Sequence, residues 1–272
     1  MARTSPTILV VNDDGIFSNG IYALAKALSA LGTVVVVAPD RQQSAVGHAL
    51  TVNAPLRVTP FHRDGTLFGY AVNGTPADCV KLAVNKLLPA PPDLVASGIN
   101  HGANTAANIL YSGTVSAATE GMLLGIPSMA VSVDTLDESF DCSAAAHYAL
   151  HIARMLLSMD LPRGTFLNVN VPALPLDDIR GIRFTRQGSA YWQDTYVEMQ
   201  DPQGHTVYWI KGQYIIPENE APDADDIALR QGYVSVTPIR YQLTDEKLLH
   251  SLRTRYAHVD LTVDTHRTNA QS

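Results

Sequence analysis

Two uninterrupted apolar runs, residues 8–11 and 34–38, stand one helix length apart, and this spacing constrains the fold more than any other feature of the 272-residue chain. Between them Ile21, Leu24, Ala25, Leu28 and Leu31 recur at helical spacing up to Gly32. A strand that is apolar at every position must be covered on both faces, as parallel strands between helix layers are. The succession therefore predicts a βαβ unit with a right-handed crossover.

The alternation continues with helices expected over residues 76–88, 115–124 and 143–158 and strands over 93–97, 128–133 and 166–171. Pro76 suits the first turn of its helix, and Gly125 closes the next one. After about residue 181 the texture changes to alternating segments at 183–185, 196–199, 206–210 and 233–238. Turn signals at Asp201-Pro202-Gln203-Gly204 and Pro222-Asp223 make these read as hairpins. A closing helix is expected over 243–256 and a loose polar tail over 267–272. The expected fold class is α/β, with a Rossmann-like, mostly parallel sheet with helices on both faces over residues 1–180 and a β-hairpin-rich C-terminal portion over 181–266. Tyr191, Trp192, Tyr196, Tyr208, Trp209 and Tyr214 in that portion suit either a subunit contact or a second core.

Apolar residues make up 46% of the chain and charged residues 17%, which allows a sizeable core. The net charge of -7 excludes the broad basic surface that holds a nucleic acid polymer, so an anionic substrate would need local help from a metal ion or backbone N–H groups. Cys79 and Cys142 are too isolated for a disulfide framework or a cysteine zinc site, and Cys79 reads as a small apolar helix residue. The polar start lacks a secretory pattern and no apolar run matches a bilayer span, so a cytoplasmic protein without a membrane partner is expected.

In open α/β sheets ligands bind beyond the carboxyl ends of the strands. The first such end reads Asn12-Asp13-Asp14-Gly15, where two adjacent carboxylates are costly unless one is protonated or a hard cation such as Mg2+ or Mn2+ neutralises both. The same residues can equally form a solvated turn with Asp14 capping the next helix. The loop after the second strand, residues 38–48, is rich in groups that ligate or hydrogen-bond. In it Asp40 and Arg41 read as a local ion pair rather than as substrate contacts. The third, residues 97–104, offers Asn100 and Asn104 as neutral oxygen donors and Gly98 and Gly102 for close backbone approach. Tyr111-Ser112-Gly113-Thr114 opens a helix whose free N–H groups and hydroxyls can cradle a phosphate, or whose Ser112 and Thr114 simply cap. His48 and His101 are candidate proton donors, or loop histidines with satisfied rings. Asn73 and Thr75 either line a pocket or cap the helix that begins at Pro76.

Together with Asn73-Gly74-Thr75-Pro76-Ala77-Asp78-Cys79-Val80 and Gly232-Tyr233-Val234-Ser235-Val236-Thr237-Pro238, these blocks strongly resemble, in order, the SurE (survival protein E) family of acid-phosphatase-like nucleotidases. The resemblance implies a metal-dependent phosphomonoesterase acting on nucleoside 5'-monophosphates, with 3' esters accepted and short polyphosphate as a side substrate. It implies one divalent ion per subunit, Mg2+ or Mn2+, held by Asp13, Asp14, Ser44 and Asn100, with Asp13 and Asp14 as the catalytic residues. Ser112, Gly113 and Thr114 match the family's phosphate turn, with Asn12 and Asn104 as further substrate contacts. It also implies a homo-oligomer, dimer or tetramer, whose C-terminal portion is partly exchanged between subunits. One departure is Ala45, where many members carry glycine, and a Cβ there restricts the loop if positive φ is required.

An ion bound to the two aspartates would position the phosphate and acidify water, while one Asp could instead be a general base or the nucleophile. A nucleotide-sugar transferase also holds a metal with vicinal acids, and a nucleotide-binding module would never turn its ligand over. The first strand leads into Asn-Asp-Asp-Gly rather than G-x-G-x-x-G, which argues against a dinucleotide-dependent dehydrogenase.

Overall fold

The computed structural model of the protein describes residues 5–257. Its strands are β1 (Thr7–Val11), β2 (Thr33–Pro39), β3 (Val58–Arg63), β4 (Thr66–Val72), β5 (Leu94–His101), β6 (Ser128–Val133), β7 (Thr165–Val171), β8 (Ile182–Phe184), β9 (Tyr191–Gln200), β10 (Thr206–Ile215) and β11 (Val234–Arg240). Its α-helices are α1 (Asn19–Leu28), α2 (Pro76–Leu82), α3 (Gly113–Leu123), α4 (Ser143–Ser158), α5 (Asp225–Arg230) and α6 (Glu246–Arg255). The main sheet has the order β3-β4-β2-β1-β5-β6-β7-β11-β8, and β4, β2, β1, β5, β6 and β7 run parallel.

The all-apolar β1 is explained by two covered faces. Ile8 and Val10 pack with Ile21, Leu24, Ile152 and Leu156 of α1 and α4, whereas Leu9 and Val11 pack on the opposite side with Cys79, Val80 and Ala117 of α2 and α3. Each of these fully buried strand side chains contributes about 2 kcal/mol of transfer free energy. Because β2 lies on one side of β1 and β5 on the other, the strand order reverses at β1, and the carboxyl ends of these parallel strands frame a crevice.

Several elements depart from the sequence expectation. The edge hairpin of β3 and β4 has no clear signature, since Pro60, exposed polar residues and a register shift at Phe61/His62 break its alternation. The helix expected over 76–88 is α-helical only through Leu82 and continues as a π-helix, Ala83–Leu87, in which the Leu88 N–H donates to Ala83. β5 extends through Asn100 and His101, which were expected in a loop, by shifting register against β6 after Ser97.

The expected boundary near residue 180 does not mark the edge of the main sheet. β8 and β11 join that sheet, β11 antiparallel to β7 and parallel to β8. Among the described residues only β9 and β10 form a separate hairpin, closed at Asp201, whose carboxylate accepts from the Gln203 and His205 N–H groups. Contacts divide the chain after Arg240. The second unit contains α6, N-capped by Asp245, and the tail expected over 267–272 lies outside the described residues. Among the described residues no helix is long and apolar enough to cross a membrane.

Candidate active site

β1 leads directly into Asn12 and Asp13, both buried, and three neighbouring segments close around them. The loop after β2 is tied down by the Gln43 N–H, which donates to the Asp13 carbonyl at 2.7 Å, and by the Gly47 N–H, which donates to Tyr111 at 3.0 Å. The Thr114 hydroxyl donates to the Asp13 carboxylate at 2.5 Å. Ser112 N-caps α3, its Oγ accepting from the Val115 N–H at 3.1 Å. Gly113 is required by proximity, since a Cβ there would lie 2.7 Å from the Asp13 Cβ.

Burial, and then the charge of Asp14, push the Asp13 carboxyl up to about 6, against the hydrogen bond from Thr114. Asp14 is also raised, first by burial, with His101 opposing the shift. His101 approaches Asp14 through its backbone N–H at 3.4 Å and through Nδ1 at 3.6 Å, and Cys142 Sγ lies 3.6 Å from its Nε2.

Asp13, Ser44, Asn100, Asn104 and Ser112 line one cavity of about 670 Å³. The Asn100 Nδ2 donates to the Gly102 carbonyl at 2.7 Å, leaving its Oδ1 as the donor atom for a cation. Among the described residues no three His, Cys, Asp or Glu side chains gather as metal ligands. Asp13 with neutral Ser44 and Asn100 oxygens is nevertheless a hard, oxygen-only set suited to Mg2+ or Mn2+, whereas Asp14, the other expected ligand, faces His101 and is not among the residues that line the cavity. Burial and, after it, the charge of Asp14 raise Asp13, and such a dication would offset both.

The remaining candidates sort by distance from this cavity. Thr114 is fully buried, with its hydroxyl and its backbone N–H both turned to the Asp13 carboxylate, and neither it nor Gly113 lines the cavity. Asn12 is turned inward, its Nδ2 donating to the Gly15 carbonyl and Ser18 Oγ at 2.9 Å each, and it does not line the cavity. Asn104 is clamped by β7, its carbonyl accepting from Asn168 and Asn170 and its Nδ2 donating to Ser132. His101 lines the cavity, but His48 does not: it pairs with Glu120 of α3 at 2.9 Å, and Lys81 holds the other Glu120 oxygen at 2.8 Å. Asp40 and Arg41 are exposed and form no ion pair with each other. Asn73 closes a turn to Arg57, and Thr75 N-caps α2 in a reciprocal capping box with Asp78.

Ala45, the departure from the family pattern, lines the cavity with φ at +56°. The loop therefore keeps the left-handed turn that glycine would adopt without strain.

Sequence reasoning missed the wall opposite Asp13. Tyr191, Trp192 and Asp194 of β9 and Ile210 and Gly212 of β10 complete the cavity, and the Trp192 Nε1 donates to Asn108 Oδ1 at 2.8 Å. Asn168 and Asn170 left a usable signal, two polar residues on one face of an otherwise apolar strand. Nothing local in residues 191–212 marks them as cavity-forming.

The survival protein SurE family profile matches residues 8–194. Among curated relatives, the 5'-nucleotidase SurE of Syntrophobacter fumaroxidans is 49% identical over 90% of this chain and 97% of its own length. That of Pelobacter propionicus is 50% identical over 88% of this chain and 94% of its own. A crystal structure of the SurE protein from Aquifex aeolicus superposes with a TM-score of 0.79 at 44% identity, covering 92% of this chain and 99% of that one.

Proposed function

The chain belongs to the SurE family, and from that premise we propose that it is a divalent-metal-dependent 5'-nucleotidase that hydrolyses nucleoside 5'-monophosphates to nucleoside and phosphate. The observation that carries the proposal is the convergence of Asp13, Ser44, Asn100 and Ser112, from four separate segments, on one cavity large enough for a nucleotide. Asp13 and Asp14, with Ser44 and Asn100, would hold one Mg2+ or Mn2+ ion. When bound, that ion supplies neutralising charge and Lewis acidity at the phosphate.

The protein's own groups do the positioning. Ser112 Oγ accepts from Val115, which leaves its hydroxyl hydrogen free to donate to a phosphate oxygen. The positive end of the α3 dipole, which begins at Gly113, adds to that cradle. Thr114 holds the Asp13 carboxylate toward the cavity, and β7, through Asn168 and Asn170, fixes the loop that carries Asn104. Tyr191 and Trp192 give the nucleoside an aromatic wall and narrow the access of water.

The proposal extends to 3'-monophosphates and short polyphosphate as weaker substrates, because the cradle grips phosphate rather than the ribose carbon that bears it. A cytoplasmic location suits Cys79 and Cys142, both buried and unpaired. Homo-oligomers that exchange the C-terminal portion suit the β9–β10 hairpin, where Tyr196, Tyr208 and Trp209 are each at least 63% exposed rather than packed in a second core.

The test is a panel of nucleoside monophosphates incubated with Mg2+, Mn2+ or Co2+ and assayed for free phosphate. Release from AMP that chelation abolishes is the expected result. Sugar transfer without phosphate release would indicate the transferase instead, and tight AMP binding without turnover would indicate a binding module.

A further inference from the structure

A second set of metal-binding atoms lies on α4, away from the residues of the catalytic cavity. His147 and His151 are both exposed and one turn apart, with ring centroids 4.6 Å apart and their Nε2 atoms 3.2 Å apart. Residues four apart project from the same helix face, so the helix itself presets this approach.

The separation fits a shared ion. Two imidazole nitrogens each at about 2.1 Å from one dication and 3.2 Å from each other subtend roughly 100° at the metal. That angle falls between the values for square-planar and tetrahedral coordination, the geometries of Cu2+ or Ni2+ and of Zn2+ respectively. Among the described residues no third His, Cys, Asp or Glu side chain gathers with these two, so two nitrogens are the protein's contribution and water fills the remaining positions.

We propose that His147 and His151 form a surface site for a borderline transition-metal dication, binding Cu2+ most tightly, with Ni2+ and Zn2+ weaker. Neutral imidazoles favour these ions over Mg2+ and Mn2+, whereas the oxygen cluster at Asp13 is suited to hard cations. Ligand chemistry thus sorts the two sites, and the α4 site does not depend on the catalytic assignment.

Electron paramagnetic resonance of the whole protein with one equivalent of Cu2+, combined with calorimetric titration, tests the inference. The expected wild-type spectrum shows coupling to two nitrogen nuclei. His147→Gln and His151→Gln each lose that coupling and bind Cu2+ at least about tenfold more weakly, with unchanged circular dichroism. Persistence of the two-nitrogen signal in Asp13→Asn separates this site from the catalytic one. Equal affinity in wild type and both variants, or no nitrogen coupling beyond theirs, would leave only a hydrogen bond between the rings and overturn the proposal.

Discussion

The Thr114 hydroxyl donates to the Asp13 carboxylate at 2.5 Å, joining the first turn of α3 to the end of β1. That bond couples the two halves of the site, because the turn that would grip phosphate also aims the acid that would grip metal. Asp13→Asn preserves an acceptor for Thr114 while removing the charge. Turnover of AMP is expected to fall at least about a hundredfold with the fold intact. Near-normal turnover in a folded variant would remove Asp13 from the site.

Asp13 also sets a pH dependence of stability when divalent ions are chelated. Its carboxyl is held at about 6 in the folded protein against 3.8 for the ordinary side chain. Between those values the folded state keeps a proton that the unfolded chain has released, so stability falls as pH rises through this window and the penalty is complete above it. The cost is on the order of 3 kcal/mol. In chelator at pH 7, Asp13→Asn should therefore melt above wild type, and the gap should close near pH 4. Added Mg2+ or Mn2+ should raise the wild-type melting temperature and leave the variant unmoved.

Gly113→Ala places a methyl group 2.7 Å from the Asp13 Cβ, a distance that neither backbone can absorb without moving. Overpacking of this kind costs about 1–3 kcal/mol. The displaced acid should raise the metal concentration needed for half-maximal activity. Unchanged metal dependence, measured by titrating Mn2+ into the assay, would contradict the close packing.

Ala45 holds a left-handed conformation, which costs an L residue about 1 kcal/mol. Ala45→Gly should stabilise the protein by roughly 0.5–1 kcal/mol and retain full activity. A drop in the denaturation midpoint would show that the Cβ packs favourably in the loop.

Glu120 is almost wholly buried, ion-paired with Lys81 and hydrogen-bonded to His48. Burial alone would push its carboxyl up, but these two partners outweigh it and hold it below the usual range. Glu120→Gln breaks both pairs and frees the end of the loop that carries Ser44. A loss of about 3 kcal/mol is expected from chemical denaturation, with a higher Mn2+ requirement than wild type. Since the carboxyl is lowered, the stabilisation it provides is present above the ordinary pKa of 4.5 and fades as pH falls through the folded value.

Much of the fold is legible in the chain because two covered faces force continuous apolar strands, and because helices repeat at their own period. Residues 8–11 and 34–38 announce the parallel core for that reason. Edge and irregular elements carry no such imprint. β3 and β4 form an irregular edge hairpin and the π-helical turn is one shifted local bond, whereas the entry of β8 and β11 into the main sheet is settled by pairing partners far away in sequence. Motif order alone groups Asp13, Ser44, Asn100 and Ser112. What only the tertiary structure decides is which atom faces where: Asn12 inward, Thr114 onto Asp13, His48 onto Glu120, and Trp192 across the cavity. Local sequence fixes chemistry and periodicity, whereas orientation follows from steric contact and charge between segments that meet only when the chain is folded.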